Sequence, residues 1–463
     1  MSETPRSRTR HDTTAGDTGD EALLSVENLK THFPVGGGLL GSGENVVKAV
    51  DGVSFDIRSG EVFGLVGESG SGKTTLGRSV LNLVGPTSGH VRYRGRDLTT
   101  LSEKEMRLLR RELSLIFQDP NASLNPAMTI EQGVGHPLRI HGLVQSRAQA
   151  RKRVVEMLER VGLHPPESFL DRYPEDLSGG QKQRLVIARA LITEPRFVVA
   201  DEPVAALDMS VRARVLELML ELKRDLDLTY LFITHDLATA RFMCDRIGIL
   251  YLGNFAEQGS ADRLFDSPQH PYTRALLSAI PLPEAGRGSR EKILPQGEIP
   301  DAACPPAGCR FHPRCPEAFA VCGWEGQDLV DALEERWTDV DEGTLQREMD
   351  LVGGLGNAEA GREFVHFPSG DPARLADWLR EQGPHLPSRV FSGVIEVAAE
   401  RGRVTVRFRS GPEPDTQEVM GRCVACHLHG VRVRPDGDHV GNPDPEELAG
   451  YQPPAPSWLA HEG

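Results

Sequence analysis

The run Gly67, Glu68, Ser69, Gly70, Ser71, Gly72, Lys73, Thr74 fits G-x-x-x-x-G-K-[ST] and lies between an apolar segment, Val62 to Val66, and a helical pattern beginning near Thr75. Such a loop has to leave a buried strand and open a helix. Its glycines let backbone N–H groups wrap phosphates, Lys73 reaches the outer phosphates, and Thr74 offers a hydroxyl to Mg²⁺. Chance yields this string in about one chain of this length in a hundred, before the strand and the helix are required. Gly67 to Thr75 are therefore the expected nucleotide-binding residues. Three further apolar runs, Leu113 to Phe117, Phe197 to Ala200 and Leu231 to Thr234, also read as buried strands, each followed by a polar residue. With helical segments between them, they predict an α/β fold with a mostly parallel sheet. Ligands of such sheets bind outside the carboxyl ends of the strands, so the residues at those four tips carry the functional reading first.

The chain has 463 residues, with Lys+Arg 52 against Asp+Glu 67 and a net charge of −15. That length allows roughly three domains. Hydrophobic residues at 39% and charged residues at 26% suit a folded protein rather than a disordered or fibrous one. The acidic balance argues against a nucleic-acid partner, whose phosphates demand Lys and Arg. No run approaches the roughly 18 apolar residues of a membrane span, and no apolar export segment stands near the start. The polar residues 1–21 are expected to be a disordered arm, and the chain is expected in the cytosol unless a partner brings it to a membrane.

After the run ending at Ala200 come Asp201 and Glu202. Adjacent carboxylates downstream of a phosphate loop can divide labour, Asp201 holding the Mg²⁺ shell and Glu202 acting as general base for the attacking water. Leu177, Ser178, Gly179, Gly180, Gln181 then Lys182, Gln183, Arg184 resembles the signature of ABC-type ATPases, a family whose motif order also matches Gln118, Asp208 and His235. The resemblance implies a P-loop core with a helical signature subdomain. It implies that Ser178, Gly179, Gly180 and Gln181 meet the γ-phosphate of ATP bound to another subunit, so that two cassettes close on two ATP molecules. It gives Gln118 a place on Mg²⁺ and the γ-phosphate, His235 the positioning of γ-phosphate and water, Asp208 a place among the ATP-site residues, and Phe33, five residues after Asn28, the adenine ring. Before Asp208 stand Ala205, Ala206 and Leu207, where many relatives have Ser at the first position. A hydrogen bond between the cassettes is expected to be missing there.

Ser267, Pro268, Gln269, His270, Pro271, Tyr272, Thr273 and the stretch Phe117 to Pro126 are similar to the oligopeptide/dipeptide/nickel import branch of that family. The branch implies transmembrane permease subunits, a second ATPase subunit in a heterodimer or else a homodimer, and an extracellular solute-binding protein reached indirectly, with this chain at the cytoplasmic face of the cell membrane. The chain divides accordingly: arm 1–21, ATPase domain 22–262 with its helical subdomain at about 103–190, an appended segment 263–326, and an acidic region 327–463 with no fold assigned. In that last region Asp328 to Glu334 and Pro372 to Gln382 have helical character and Arg403 to Phe408 alternates like a strand. Cys304, Cys309, Cys315 and Cys322 form a cluster that can hold a [4Fe-4S] cluster, which the branch implies, or zinc, or can be free thiols; His312 is a possible substitute ligand. Cys423, Val424, Ala425, Cys426, His427 matches a haem-attachment string, whose chemistry needs export. The alternatives are a small metal site with His427 or His429, and an unliganded pair. Two rival functions stand: a soluble ABC ATPase acting on nucleic acid or in translation, and an ATPase governed by a redox- or metal-sensing C-terminal half.

Overall fold

The computed structural model describes residues 22–35, 45–279, 293, 295, 297–409, 411–429, 431–433 and 439–441. The expected arm 1–21 lies outside the described residues. Strands run in the order β1 Leu24–Val35, β2 Asn45–Ile57, β3 Val62–Val66, β4 Ser88–Tyr93, β5 Arg96–Asp97, β6 Leu113–Ile116, β7 Phe197–Asp201, β8 Thr229–Thr234, β9 Arg246–Tyr251 and β10 Asn254–Ser260. After the cysteine-bearing segment follow β11 Glu359–Ala360, β12 Phe364–Pro368, β13 Val394–Glu400, β14 Arg403–Phe408, β15 Thr416–Val419 and β16 Arg422–Ala425.

The main sheet has the order β15-β16-β10-β9-β3-β8-β7-β6. Its members β9, β3, β8, β7 and β6 are mutually parallel. β3, β7 and β8 are buried along their whole length, which their unbroken apolar composition demands of central parallel strands. The period of two divides them between two cores. Phe63, Leu65, Phe197, Val199, Leu231 and Ile233 face the antiparallel sheet β2-β1-β4-β5 and the helix Lys73–Val80. Val62, Val66, Val198, Ala200, Tyr230 and Phe232 face the core shared with the helices Ile130–Ile140, Arg147–Arg160 and Gly179–Leu191.

Register decides where the site forms. Val66 pairs with Thr234, Asp201 with Ile233, and Ile116 with Ala200, so β3, β8, β7 and β6 end level with one another. The residues that follow them therefore share one sheet edge.

The region beyond Gly326, unassigned from sequence, is folded in its described part. Helices Gly326–Asp339, Glu342–Val352 and Pro372–Gln382 accompany an antiparallel sheet β11-β12-β14-β13. Leu329, Leu333, Leu375, Leu379, Phe367 and Val406 are buried between the layers. Trp324 joins this layer to the cysteine segment: its indole N–H donates to the Phe319 carbonyl at 3.0 Å, and a side chain at Gly393 would collide with its ring. The chain then returns through the hairpin β15–β16, whose turn residues Met420 and Gly421 both have positive φ. β16 pairs with β10, Val424 opposite Glu257, and so completes the main sheet. The folded layer is thus inserted between the cysteine segment and the strand that closes the sheet. Among the described residues no helix is long and apolar enough to cross a membrane.

Candidate active site

The loop between β3 and the helix Lys73–Val80 is shaped by its neighbours. Gly70 and Gly72 have φ of 78° and 102°, and a Cβ on Gly72 would lie 2.0 Å from the Ala49 carbonyl oxygen. The Ser71 carbonyl accepts a hydrogen bond from Gly253 N–H at 2.9 Å, which ties the loop to the β9–β10 turn. Lys73 is buried and donates to the carbonyls of Gly67 and Glu68 at 2.9 and 2.7 Å and to Ser71 Oγ at 3.4 Å. Burial pulls its ammonium below the usual lysine value, against the attraction of Glu202, Asp201 and Glu68. A cation held in that way, beside backbone N–H groups at a helix start, is ready to exchange loop carbonyls for phosphate oxygens.

Thr74 Oγ1 donates to Asp201 Oδ1 at 3.0 Å. Burial holds the Asp201 carboxyl above its ordinary value, opposed by the Thr74 hydrogen bond and by Arg78. A hydroxyl and a desolvated carboxylate side by side are hard oxygen donors that fit Mg²⁺, and a bound cation would favour the ionised carboxylate. These residues are where Mg²⁺ would be held, and bound there it would neutralise charge on the outer phosphates.

Glu202 stands one residue further, with φ of 45°, a conformation uncommon outside glycine. Its N–H donates to the Ile233 carbonyl at 3.0 Å, which fixes the turn. Gln118 Nε2 donates to Glu202 Oε2 at 3.2 Å, and His235 Nδ1 lies 3.1 Å from the same oxygen. The tips of β6, β7 and β8 thus meet on one carboxylate, and the tip of β3 carries the phosphate loop beside it. Two neighbours orient Glu202, the arrangement a general base for water requires.

Ser178 lies elsewhere, at the start of the helix Gly179–Leu191. Its Oγ accepts from Gln181 N–H at 3.4 Å and Gln181 Oε1 accepts from Ser178 N–H at 3.0 Å, a capping box in which Ser178 and Gly179 are exposed and Gly180 and Gln181 half-buried. A Cβ on Gly180 would meet Val211 at 2.7 Å, so the signature helix packs closely on the helix Met209–Leu226. Among the described residues no hydrogen bond joins Ser178, Gly179 or Gly180 to this chain's own phosphate loop. Asp208, grouped with the ATP-site residues by resemblance, uses its carboxylate as the N-cap of that second helix, accepting from Ser210 and Val211 N–H at 3.1 and 3.0 Å. Phe33 sits near the end of β1, opposite Val47, and is 40% exposed. Lys182 Nζ donates to Asn121 Oδ1 at 3.2 Å, and Arg189 donates to the Ser123 carbonyl. These bonds link the signature helix to the segment after Gln118, around a cleft of about 260 Å³ lined by Asn125, Met128 and His136 among others.

Residues 50–205 match the family model described as ABC transporter, and residues 256–322 match the one described as the oligopeptide/dipeptide transporter C-terminal region. The chain is 51% identical over 313 residues to the putative oligopeptide transport ATP-binding protein YkfD of Bacillus subtilis, covering 67% of this chain and 92% of that protein. It is 47% identical over 304 residues to AppF of B. subtilis, covering 65% and 92%, and 44% identical over 307 residues to OppF of Escherichia coli, covering 66% and 91%; both are named oligopeptide transport ATP-binding proteins. The chain belongs to the family of oligopeptide transport ATP-binding proteins. It is an ABC ATPase, with a site built at the ends of four parallel strands.

The segment that distinguishes this ATP-binding subunit within the ABC group enters the site itself. Glu257 is fully buried on β10 and accepts the N–H groups of Gln269 and His270 at 3.0 and 2.9 Å. It thereby seats the helix Pro271–Ser278. Burial drives the His270 imidazole down to about 3, so it is neutral and its Nδ1 accepts the Tyr272 N–H at 3.0 Å. Tyr272 Oη then accepts the N–H of Glu68, inside the phosphate loop, at 3.1 Å. In sequence Tyr272 stands out only as part of the branch motif Ser267 to Thr273, and nothing local announces its contact with the phosphate loop.

The cysteines sort differently from their spacing. Cys309, Cys315, Cys322 and Cys426 line one cavity with His270, His312 and Glu317, whereas Cys304 is exposed and lines none of it. Cys426 replaces Cys304 because the β16–β10 pairing delivers it there. Cys423, on the same strand, is exposed, so the two late cysteines do not converge on one site. His312 is not free to bind metal: Nδ1 lies 2.7 Å from the Cys309 carbonyl and Nε2 3.1 Å from Asp328. Burial raises the thiols of Cys309, to about 11, and of Cys315, Cys322 and Cys426. Among the described residues no three His, Cys, Asp or Glu side chains are grouped to hold a metal ion.

Glu202→Gln keeps the shape of the site but removes the carboxylate expected to act as the base. Turnover is expected to fall by roughly 100-fold or more, while ATP affinity stays within about threefold. Steady-state hydrolysis with ATP titration measures both, and undiminished turnover contradicts the assignment.

Proposed function

We propose that the chain is the ATP-hydrolysing subunit that powers a membrane importer for oligopeptides or similar small solutes. It works as one of two cassettes, a homodimer or a pair with a second ATPase subunit, at the cytoplasmic face of transmembrane permease subunits. An extracellular solute-binding protein delivers the cargo to those permeases. ATP is held by Gly67 to Thr75 with Phe33 on the adenine, Mg²⁺ by Thr74, Asp201 and Gln118, and the γ-phosphate of the partner's nucleotide by Ser178, Gly179, Gly180 and Gln181. The exposed capping box at Ser178 supports that last assignment, since a helix start whose N–H groups face outward suits a phosphate brought by another subunit. We place the permease contact at the cleft beside Asn125, because a shift there reaches both Gln118 and the signature helix.

The observation that carries the importer reading is the His270–Tyr272 segment, which is seated by Glu257 and bonded to the phosphate loop, within a chain that spans 92% of an oligopeptide transport relative. It favours the importer over an ATPase acting on nucleic acid. Purification of the tagged chain from native membranes should bring down integral permease subunits. Nucleic acid without any membrane protein would contradict the proposal.

The cysteine cavity supports a [4Fe-4S] cluster held by Cys309, Cys315, Cys322 and Cys426. A cluster needs four thiolates, each on its own iron, and four cysteines line this one cavity. Binding would release the protons that burial now keeps on the thiols. Bound there, the cluster would fasten both ends of the inserted layer to the ATPase domain. Anaerobically purified protein should be brown with about four irons per chain. Cys304→Ser should keep the iron and Cys426→Ser should lose it. Retention in the latter, or stoichiometric zinc in the unaltered protein, contradicts the assignment.

A further inference from the structure

Glu68 places a carboxylate inside a loop whose task is to receive a triphosphate. That is an electrostatic conflict unless the charge is cancelled, because like charges within a few ångströms repel strongly in a partly desolvated site. Every polar group of Glu68 is engaged. Its N–H donates to Tyr272 Oη at 3.1 Å and its carbonyl accepts from Lys73 Nζ at 2.7 Å. Its carboxylate is clasped by the two arms of Arg314, Nη1 to Oε2 at 2.8 Å and Nη2 to Oε1 at 3.2 Å.

Arg314 comes from far away in sequence. It ends the short turn His312–Arg314 and directly precedes Cys315 of the cysteine cavity. It is buried, with its guanidinium 5.9 Å from the centre of the Tyr251 ring and Nη1 3.4 Å from the Tyr251 hydroxyl. Tyr251 in turn packs edge to face on Tyr272 and Phe311, with ring centres 4.7 and 5.3 Å apart. A planar fork is pre-organised for a carboxylate in a way an ammonium is not.

We infer that Arg314 is a positioning residue for ATP binding: it neutralises Glu68 and fixes the phosphate loop, so that the incoming phosphates meet the loop N–H groups and Lys73 rather than an exposed anion. The cysteine segment is in this way part of the nucleotide site. Arg310, four residues earlier, docks the same segment through Asp51, Glu413 and the Leu252 carbonyl, and among the described residues it forms no hydrogen bond or ion pair with the loop. Docking alone therefore does not account for the Arg314 contact.

A purely structural role and an electrostatic one predict different outcomes for a pair of substitutions in the full chain, read as the Kd for MgATP by calorimetric titration. Arg314→Met should weaken binding by roughly tenfold, because it leaves Glu68 unneutralised beside the phosphates. Adding Glu68→Gln should recover most of that loss, since no anion is left to neutralise. A single variant within about threefold of the unaltered protein overturns the inference. So does a double variant that binds no better than the single, the result expected if Arg314 only holds the segment in place. If Arg314→Met gives no soluble protein, Arg314→Gln, alone and with Glu68→Gln, carries the same test, and the same two results overturn the inference.

Discussion

Phosphates are bound where backbone N–H groups and cations converge on them, and in this chain the residues that do so are brought together by strand register. β3, β8, β7 and β6 end level, so the phosphate loop, His235, Asp201 with Glu202, and Gln118 emerge at one edge. A one-residue slip of β7 would turn Asp201 and Glu202 to opposite sides from those they now occupy. The buried alternation of Phe197 to Ala200 between two cores makes that slip costly. Packing and catalysis are thus set by the same residues: the apolar side chains choose the register, and the register aims the carboxylates.

Much of this edge was legible from sequence because its signals are local. Each strand is a short apolar run with its polar residue directly after it, and the phosphate loop needs glycines where the backbone takes positive φ or touches a neighbour, as Gly72 does against Ala49. The helices Gly326–Asp339 and Pro372–Gln382 and the strand Arg403–Phe408 were visible for the same reason, by period alone. What was not legible depends on long-range pairing. Nothing near Cys426 announces that β16 will add to β10, so spacing favoured Cys304, which is close in sequence and exposed in the structure. Asp208 has a structural role that its motif position does not announce, since its carboxylate caps the helix Met209–Leu226.

The inserted layer between Cys322 and Cys426 separates two parts of one cavity by roughly a hundred residues, a closure whose entropic cost grows only slowly with length. The layer's buried side chains continue the core of the ATPase domain, and the two are joined further by Trp324, by the His312–Asp328 contact and by the β15–β16 hairpin. The segment from Glu257 to Cys322 lies between layer and phosphate loop and reaches the loop through Tyr272 and Arg314.

The central claim is that one chain holds ATP but a second cassette must supply its Ser178 turn before water is activated. ATP hydrolysis per chain, measured across a dilution series with the assembly state followed by light scattering, tests this most directly. The rate per chain is expected to fall as the pair dissociates, while ATP binding persists. A rate per chain that stays constant through full dissociation to monomers would contradict the account.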